Sequence, residues 1–314
     1  EKGDIKGMKK LLAAHPEQVN QVKGDCRQPP LHTAIFFNKT EIVKLLLAKG
    51  ANIKARDLDG ITPLLEAADG KSTEIAALLI SKGADINESN NDGDTVLIKA
   101  AGSDCPAMVE LIVRSGAQVN KTNKEGMTAL HRAAQGDNAQ IIKILVKAGA
   151  SVNACDNKQS TPLLYASLDG RSNAIKALTD AGADVRHKDR AGTTALHFVS
   201  YIGFPESVDC LIQAGADVNA EAFDGKTPLH WACKMGNPEI ADKLVKSGAI
   251  LNKQDRYGNS PLHIAVQEGF FLTIEKLLTL KADLSLTDCL GMTARDWAFV
   301  RGFDKIVVKI DSNR

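Results

Sequence analysis

The sequence predicts a mainly α-helical repeat solenoid, one elongated domain running over residues 1–314. Three observations predict it. A short signature recurs every 33 residues: PPLH from Pro29, TPLL from Thr62, TVLI from Thr95, TALH from Thr128, TPLL from Thr161, TALH from Thr194, TPLH from Thr227, SPLH from Ser260 and TARD from Thr293. A second signature follows later in each unit, as GANIK at 50, GADIN at 83, GAQVN at 116, GASVN at 149, GADVR at 182, GADVN at 215 and GAILN at 248. Between them lie stretches such as IVKLLL at 42–47 and IIKILV at 141–146, apolar at helical spacing. No insertion breaks the period, which is the mark of stacked units that bury a continuous core against their neighbours.

Each element has a local reason. Thr is a good helix N-cap, and Pro at the next position suits the first turn, so a first helix starts at each TPLH-like signature. Ala34, Ala67, Ala100, Ala133, Ala166, Ala232, Ala265 and Ala298 let neighbouring helices approach closely. The apolar stretches form the second helix. Gly50, Gly83, Gly116, Gly149, Gly182, Gly215 and Gly248 follow it, where a left-handed helix end favours Gly. Gly60, Gly93, Gly126, Gly192, Gly225, Gly258 and Gly291 precede the next first helix, in the turn that links repeats.

The period, the TPLH signature and the glycine-marked exit resemble the ankyrin-repeat family over nearly the whole chain. The resemblance implies helix-turn-helix repeats linked by β-hairpin loops. The repeats divide as 1–22 (partial), 23–56, 57–89, 90–122, 123–155, 156–188, 189–221, 222–254, 255–287 and 288–314. The partial one, GDIKGMKKLLAAHPEQVN, keeps a second helix and its exit loop. The N-terminal end therefore looks uncapped, and sequence upstream of Glu1 is expected. The last repeat reads as a C-terminal cap, with Arg295, Asp296, Lys309 and Asp311 at its polar positions.

Composition narrows the function. A net charge of +1 argues against a general polyanion binder, so no nucleic acid is expected. No apolar run approaches the roughly 20 residues that span a bilayer, so no membrane insertion is expected. Cys26, Cys105, Cys155, Cys210, Cys233 and Cys289 lack CxxC spacing. They fit free thiols in a reducing compartment, the cytoplasm or the nucleus. The NKT sequons at Asn38 and Asn120 should then stay unmodified.

One stretch looks catalytic: KTPLHWACKMGN at 226–237, where His230 and Cys233 share a helix face. The period argues otherwise. His32, His131, His197, His230 and His263 occupy one repeat position, and Cys233 falls where other repeats have Ala or Ser. In the family this ring hydrogen-bonds the Thr of its own motif, so both residues are expected to be architecture. DGKST at 69–73 and DGKT at 224–227 resemble the end of a phosphate loop, but Leu65 and Ala220 stand where its first Gly belongs. Asp57, Asp59, Asp156, Asp189 and Asp255 recur at turns and serve turn geometry. No enzyme, cofactor or metal is expected.

The positions that differ between repeats point to a partner. The residue after the His position reads Thr33, Glu66, Lys99 and Arg132, then Tyr165, Phe198, Trp231, Ile264 and Trp297. Ankyrin domains bind proteins through hairpin tips and the inner face of first helices. The resemblance thus implies a non-enzymatic scaffold, a monomer, that binds a protein or peptide on its concave face. The partner-binding residues are expected to be Tyr165, Phe198, Tyr201, Ile202, Phe223, Trp231, Met235 and Tyr257, flanked by Lys188, Arg190, Lys234 and Arg256. These cations favour an acidic or mixed partner segment. Trp297 lies in the cap and reads as structural.

Two other classes of function fit the same sequence. The chain could be the targeting region of a larger enzyme, channel or secreted bacterial effector, or a solenoid that binds a small molecule or nucleotide. The resemblance also implies a modification. The asparaginyl hydroxylase of ankyrin repeats favours a Leu eight residues before the Asn and an acidic residue two before. Asn87, with Leu79 and Asp85, and Asn219, with Leu211 and Asp217, match.

Overall fold

The computed structural model describes residues 5–22 and 28–313. Cys26 lies outside the described residues. The chain divides into two compact units, Glu1–Asn157 and Lys158–Arg314.

In the first unit, helix Ile5–Ala14 and a short 3-10 turn Pro16–Asn20 supply the partial repeat. Four helix pairs follow: Pro30–Phe36 with Thr40–Ala48, Pro63–Asp69 with Thr73–Ser81, Val96–Gly102 with Pro106–Arg114, and Ala129–Gln135 with Ala139–Lys147. The second unit holds five pairs: Pro162–Leu168 with Ser172–Asp180, Ala195–Ile202 with Pro205–Gln213, Pro228–Lys234 with Pro238–Lys246, Pro261–Glu268 with Phe271–Thr279, and Ala294–Val300 with Asp304–Asp311. Within each unit, first helices pack on first helices and second helices on second.

The first helices start where the sequence places them. The hydroxyl of Thr62 accepts from Leu65 N at 3.4 Å, that of Thr95 from Ile98 N at 3.2 Å, and that of Thr161 from Leu164 N at 3.3 Å. These bonds satisfy helix-start donors that would otherwise be orphaned. The core is a set of columns repeated at the same period. Leu31, Leu64, Leu97 and Leu130 line the first unit, and Leu163, Leu196, Leu229 and Leu262 the second, all buried. Leu79, Ile112 and Leu145, then Leu178, Leu211, Leu244 and Leu277, form the second-helix column and are fully buried. Each such side chain contributes roughly 1.5–3 kcal/mol by leaving water.

The linkers close as tight turns of one or two rungs. In one, Asp189 N donates to Thr193 O and Gly192 N to Asp189 O, both at 3.0 Å. The turn is fixed by Asp189 Oδ1, which accepts from Ala191 N and Thr193 N at 2.8 Å. Asp57 and Asp255 do the same in their own turns. Isolated antiparallel β-bridges pair Ser89 with Thr95 and Thr287 with Thr293. The hairpins are this short because the next first helix begins immediately after the last rung.

The last repeat mixes polar and apolar character. Arg295 makes a bidentate pair with Asp311 at 2.6 and 2.8 Å. Trp297 Nε1 donates to Asp288 Oδ2 at 2.7 Å, a structural contact. Phe299, however, is exposed, at the position where Ser167, Ser200, Cys233 and Val266 are buried.

Candidate protein-interaction surface

The His–Cys pair is bound into the frame. Thr227 N donates to His230 Nδ1 at 3.1 Å, and the Thr227 hydroxyl lies 2.9 Å from the same nitrogen. An Nδ1 that accepts from a backbone N–H is unprotonated, so Nε2 holds the proton. It donates to Asn259 O in the next repeat at 3.0 Å. His197 reaches Lys226 O at 3.1 Å and His263 reaches Met292 O at 3.1 Å in the same way. Burial lowers the pKa of all three rings, that of His197 to about 4. Cys233 is completely buried, and burial pushes its thiol far up. Neither residue is free to act as base or nucleophile. His32 differs: Pro29 stands where the other His-bearing repeats have Thr or Ser, and His32 Nδ1 is buried with no partner among the described residues.

The phosphate-loop look-alikes dissolve as well. Gly70 caps helix Pro63–Asp69, so DGKST lies between two helices of one repeat. In DGKT, Lys226 Nζ pairs with Asp224 at 2.6 Å and Asp255 at 3.5 Å. Burial pushes the Asp224 carboxyl up, but the Lys226 contacts outweigh it and hold it below its usual range.

The expected partner-binding residues all lie in the second unit. Tyr165, Phe198, Ile202 and Trp231 are half-buried; Lys188, Arg190, Tyr201, Phe223, Lys234, Met235, Arg256 and Tyr257 are exposed. Trp231 is the hub. Edge-to-face contacts join its ring to Phe198 at 5.9 Å, Tyr201 at 5.7 Å and His197 at 5.5 Å between centroids. Such pairs contribute about 0.5–1.5 kcal/mol beyond burial, so the cluster is rigid before any partner arrives. Ile264, next in the column, is buried and ends the accessible stripe.

Sequence reasoning missed how the neighbouring charges are spent. Lys188 Nζ donates to Glu221 O at 2.8 Å, so its ammonium is tied to a turn. Lys226 sits over the Tyr257 ring, 5.6 Å from its centroid, and fixes a ring that is otherwise exposed. Both contacts join residues one turn apart along the stack, and only the 31- and 33-residue separations could have hinted at them.

In the first unit the same column is polar. Lys99 and Arg132 both point at Asp94, at 3.6 and 4.0 Å. Burial, with Asp69 and Asp57 nearby, raises the Glu66 pKa.

A family model for ankyrin repeats, three copies long, matches residues 1–90, 31–123, 97–189, 170–255 and 196–288. The chain belongs to the ankyrin-repeat family. Comparison with curated proteins gives no match. Ankyrin repeats are generally protein–protein interaction modules, and the helix pairs described above are ankyrin repeats in order and spacing. Among the described residues no helix is long and apolar enough to cross a membrane, and no group of three or more His, Cys, Asp or Glu is placed to hold a metal ion.

The ankyrin turns also place the two candidate hydroxylation sites. Asn219 Nδ2 donates to Gly248 O at 3.0 Å, and its Oδ1 accepts from Ile250 N at 2.8 Å. Asn87 Oδ1 accepts from Gln118 N at 2.8 Å. Each amide ties its turn to the next repeat.

Proposed function

We propose that this ankyrin domain is a non-catalytic scaffold that docks a partner protein on its second unit. The supporting observation is the Trp231 cluster: a preorganised aromatic surface with exposed Tyr201 and Met235 at its edge and exposed Phe223 and Tyr257 on the adjacent turns. Rigid aromatic rings bury contact area at little entropic cost, and an apolar patch with a charged rim marks an interaction site. Arg190, Lys234 and Arg256 form that rim and favour an acidic or mixed partner segment through steering and specificity. The place of action is the cytoplasm or nucleus, and the domain acts as a monomer. Asn87 and Asn219 are hydroxylation sites in this reading. Peptide mass analysis of protein from its native cell should find one added oxygen on each, and unmodified asparagines would end that part.

Site-specific photo-crosslinking tests the docking surface. A photoreactive side chain at Met235 should capture the partner, and the same group at Thr33 should not. Capture through Thr33 alone would place the surface in the first unit and refute the reading.

A further inference from the structure

The turn tips form a row of their own. Each tip N–H donates to the tip before it: Phe223 N to Ala191 O at 3.0 Å, Arg256 N to Asp224 O at 3.0 Å, and Cys289 N to Tyr257 O at 2.9 Å. Equivalent residues are thus held one repeat apart. In the first unit this row contains asparagines that turn back on it. Asn91 Nδ2 donates to Leu58 O and Asn157 Nδ2 to Lys124 O, both at 2.9 Å. In the second unit the same row reads Arg190, Phe223, Arg256, and all three are exposed.

Phe223 and Arg256 are held in place by their packing. The Phe223 ring lies against Gly192, where an added Cβ would meet its Cδ1 at 2.8 Å, and the Arg256 stem lies against Gly225, where a Cβ would meet Cγ at 3.2 Å. Among the described residues neither Arg190 nor Arg256 forms an ion pair. The cations beside them are already used: Lys226 on Asp224 and Asp255, Lys253 on Glu221 at 2.7 Å, Lys188 on a backbone carbonyl. Two unpaired guanidinium groups therefore flank one exposed ring. A guanidinium takes a carboxylate in a two-pronged geometry that an ammonium cannot match.

The geometry points to an extended acidic segment of the partner, read by Arg190, Phe223 and Arg256 as two carboxylates flanking one aromatic or large aliphatic side chain. This rests on the docking reading above and specifies the partner's chemistry. Packed helices stand about 10 Å apart, so two repeat steps separate the arginines by roughly 20 Å. A polyproline-II chain advances about 3.1 Å per residue with three residues per turn, so that span takes about six residues and every third side chain faces the row. The motif is then acid, two spacers, apolar, two spacers, acid. A continuous polyanion fits worse, because the row offers two separated guanidinium groups with an apolar ring between them, and the neighbouring lysines are already paired.

Fluorescence anisotropy on the whole chain at low ionic strength tests this with a labelled peptide, DASFSAD. Binding should be at least tenfold tighter than for NASFSAN, DASASAD or the shortened DAFAD. The variant Arg190→Glu with Arg256→Glu should lose that preference and gain one for KASFSAK, with an unchanged circular dichroism spectrum. Equal binding of NASFSAN, a preference that survives the double charge reversal, tighter binding of oligothymidylate, or no peptide binding at all would each overturn the inference. Docking of a whole partner that still depends on Tyr201 would show that only this motif, and not the docking surface, had failed.

Discussion

His230 donates from Nε2 to the carbonyl of Asn259 at 3.0 Å, tying the first helix of one repeat to the turn that opens the next. The same ring accepts from Thr227 N on its other side. His230→Ala strips both groups of their partner inside a buried site. Each unsatisfied group costs about 1–3 kcal/mol, so the variant should lose about 2–6 kcal/mol in urea unfolding. An unchanged midpoint would mean that the ring is not a tie between repeats.

Pro29 offers the reverse experiment. Pro29→Thr would give His32 Nδ1 the N–H and hydroxyl it lacks. Relieving a buried orphan is worth about 1–3 kcal/mol, against about 0.4–1 kcal/mol lost when proline no longer restricts the unfolded chain. The net expectation is a gain of about 1 kcal/mol in the first unit, read by hydrogen exchange of helix Pro30–Phe36. A loss would show that His32 is satisfied in some other way.

Acid should loosen the second unit. Burial holds His197 neutral in the fold, with its pKa lowered from 6.5 to about 4, and lowers His230 and His263 in the same direction. The unfolded chain binds these protons first, so stability is full above about pH 6.5 and falls as pH drops toward 4. His197 alone accounts for on the order of 3 kcal/mol over that window. Urea midpoints at pH 7.5, 6 and 5 should fall in that order; a midpoint flat across the series would contradict the assignment.

Much of this was legible in the sequence because the stack turns sequence period into spatial neighbourhood. Thr227, His230 and Cys233 could be read as frame from their repeat equivalents alone. Even the Tyr201–Trp231 contact follows from a separation of 30 against a period of 33. What a period cannot convey is where a long side chain points. Lys188 looked like a rim cation and is spent on Glu221 O; Lys226 looked like part of a phosphate loop and instead holds Tyr257. Phe299 is exposed although its repeat equivalents Ser167, Ser200, Cys233 and Val266 are buried, so period alone does not fix burial.

Gly192 and Gly182 separate backbone strain from positioning of the surface. Both have left-handed φ, +77 and +84, but an added Cβ meets the Phe223 ring at 2.8 Å in the first case and nothing within 4 Å in the second. Gly192→Ala and Gly182→Ala should each cost roughly 1–2 kcal/mol of stability for the backbone. Only Gly192→Ala should also weaken partner binding, measured by calorimetry, because it displaces Phe223. Equal weakening by both would remove Phe223 from the surface.

The most direct test compares two double variants against the partner recovered by crosslinking. Tyr201→Ala with Tyr257→Ala removes exposed rings of the second unit, while Glu66→Ala with Arg132→Ala alters the polar column of the first. Titration calorimetry should show the tyrosine pair losing about 1–3 kcal/mol of binding per ring, with the Glu66 and Arg132 pair unchanged and both variants folded. Binding abolished by the Glu66 and Arg132 pair, and intact in the tyrosine pair, would contradict the account.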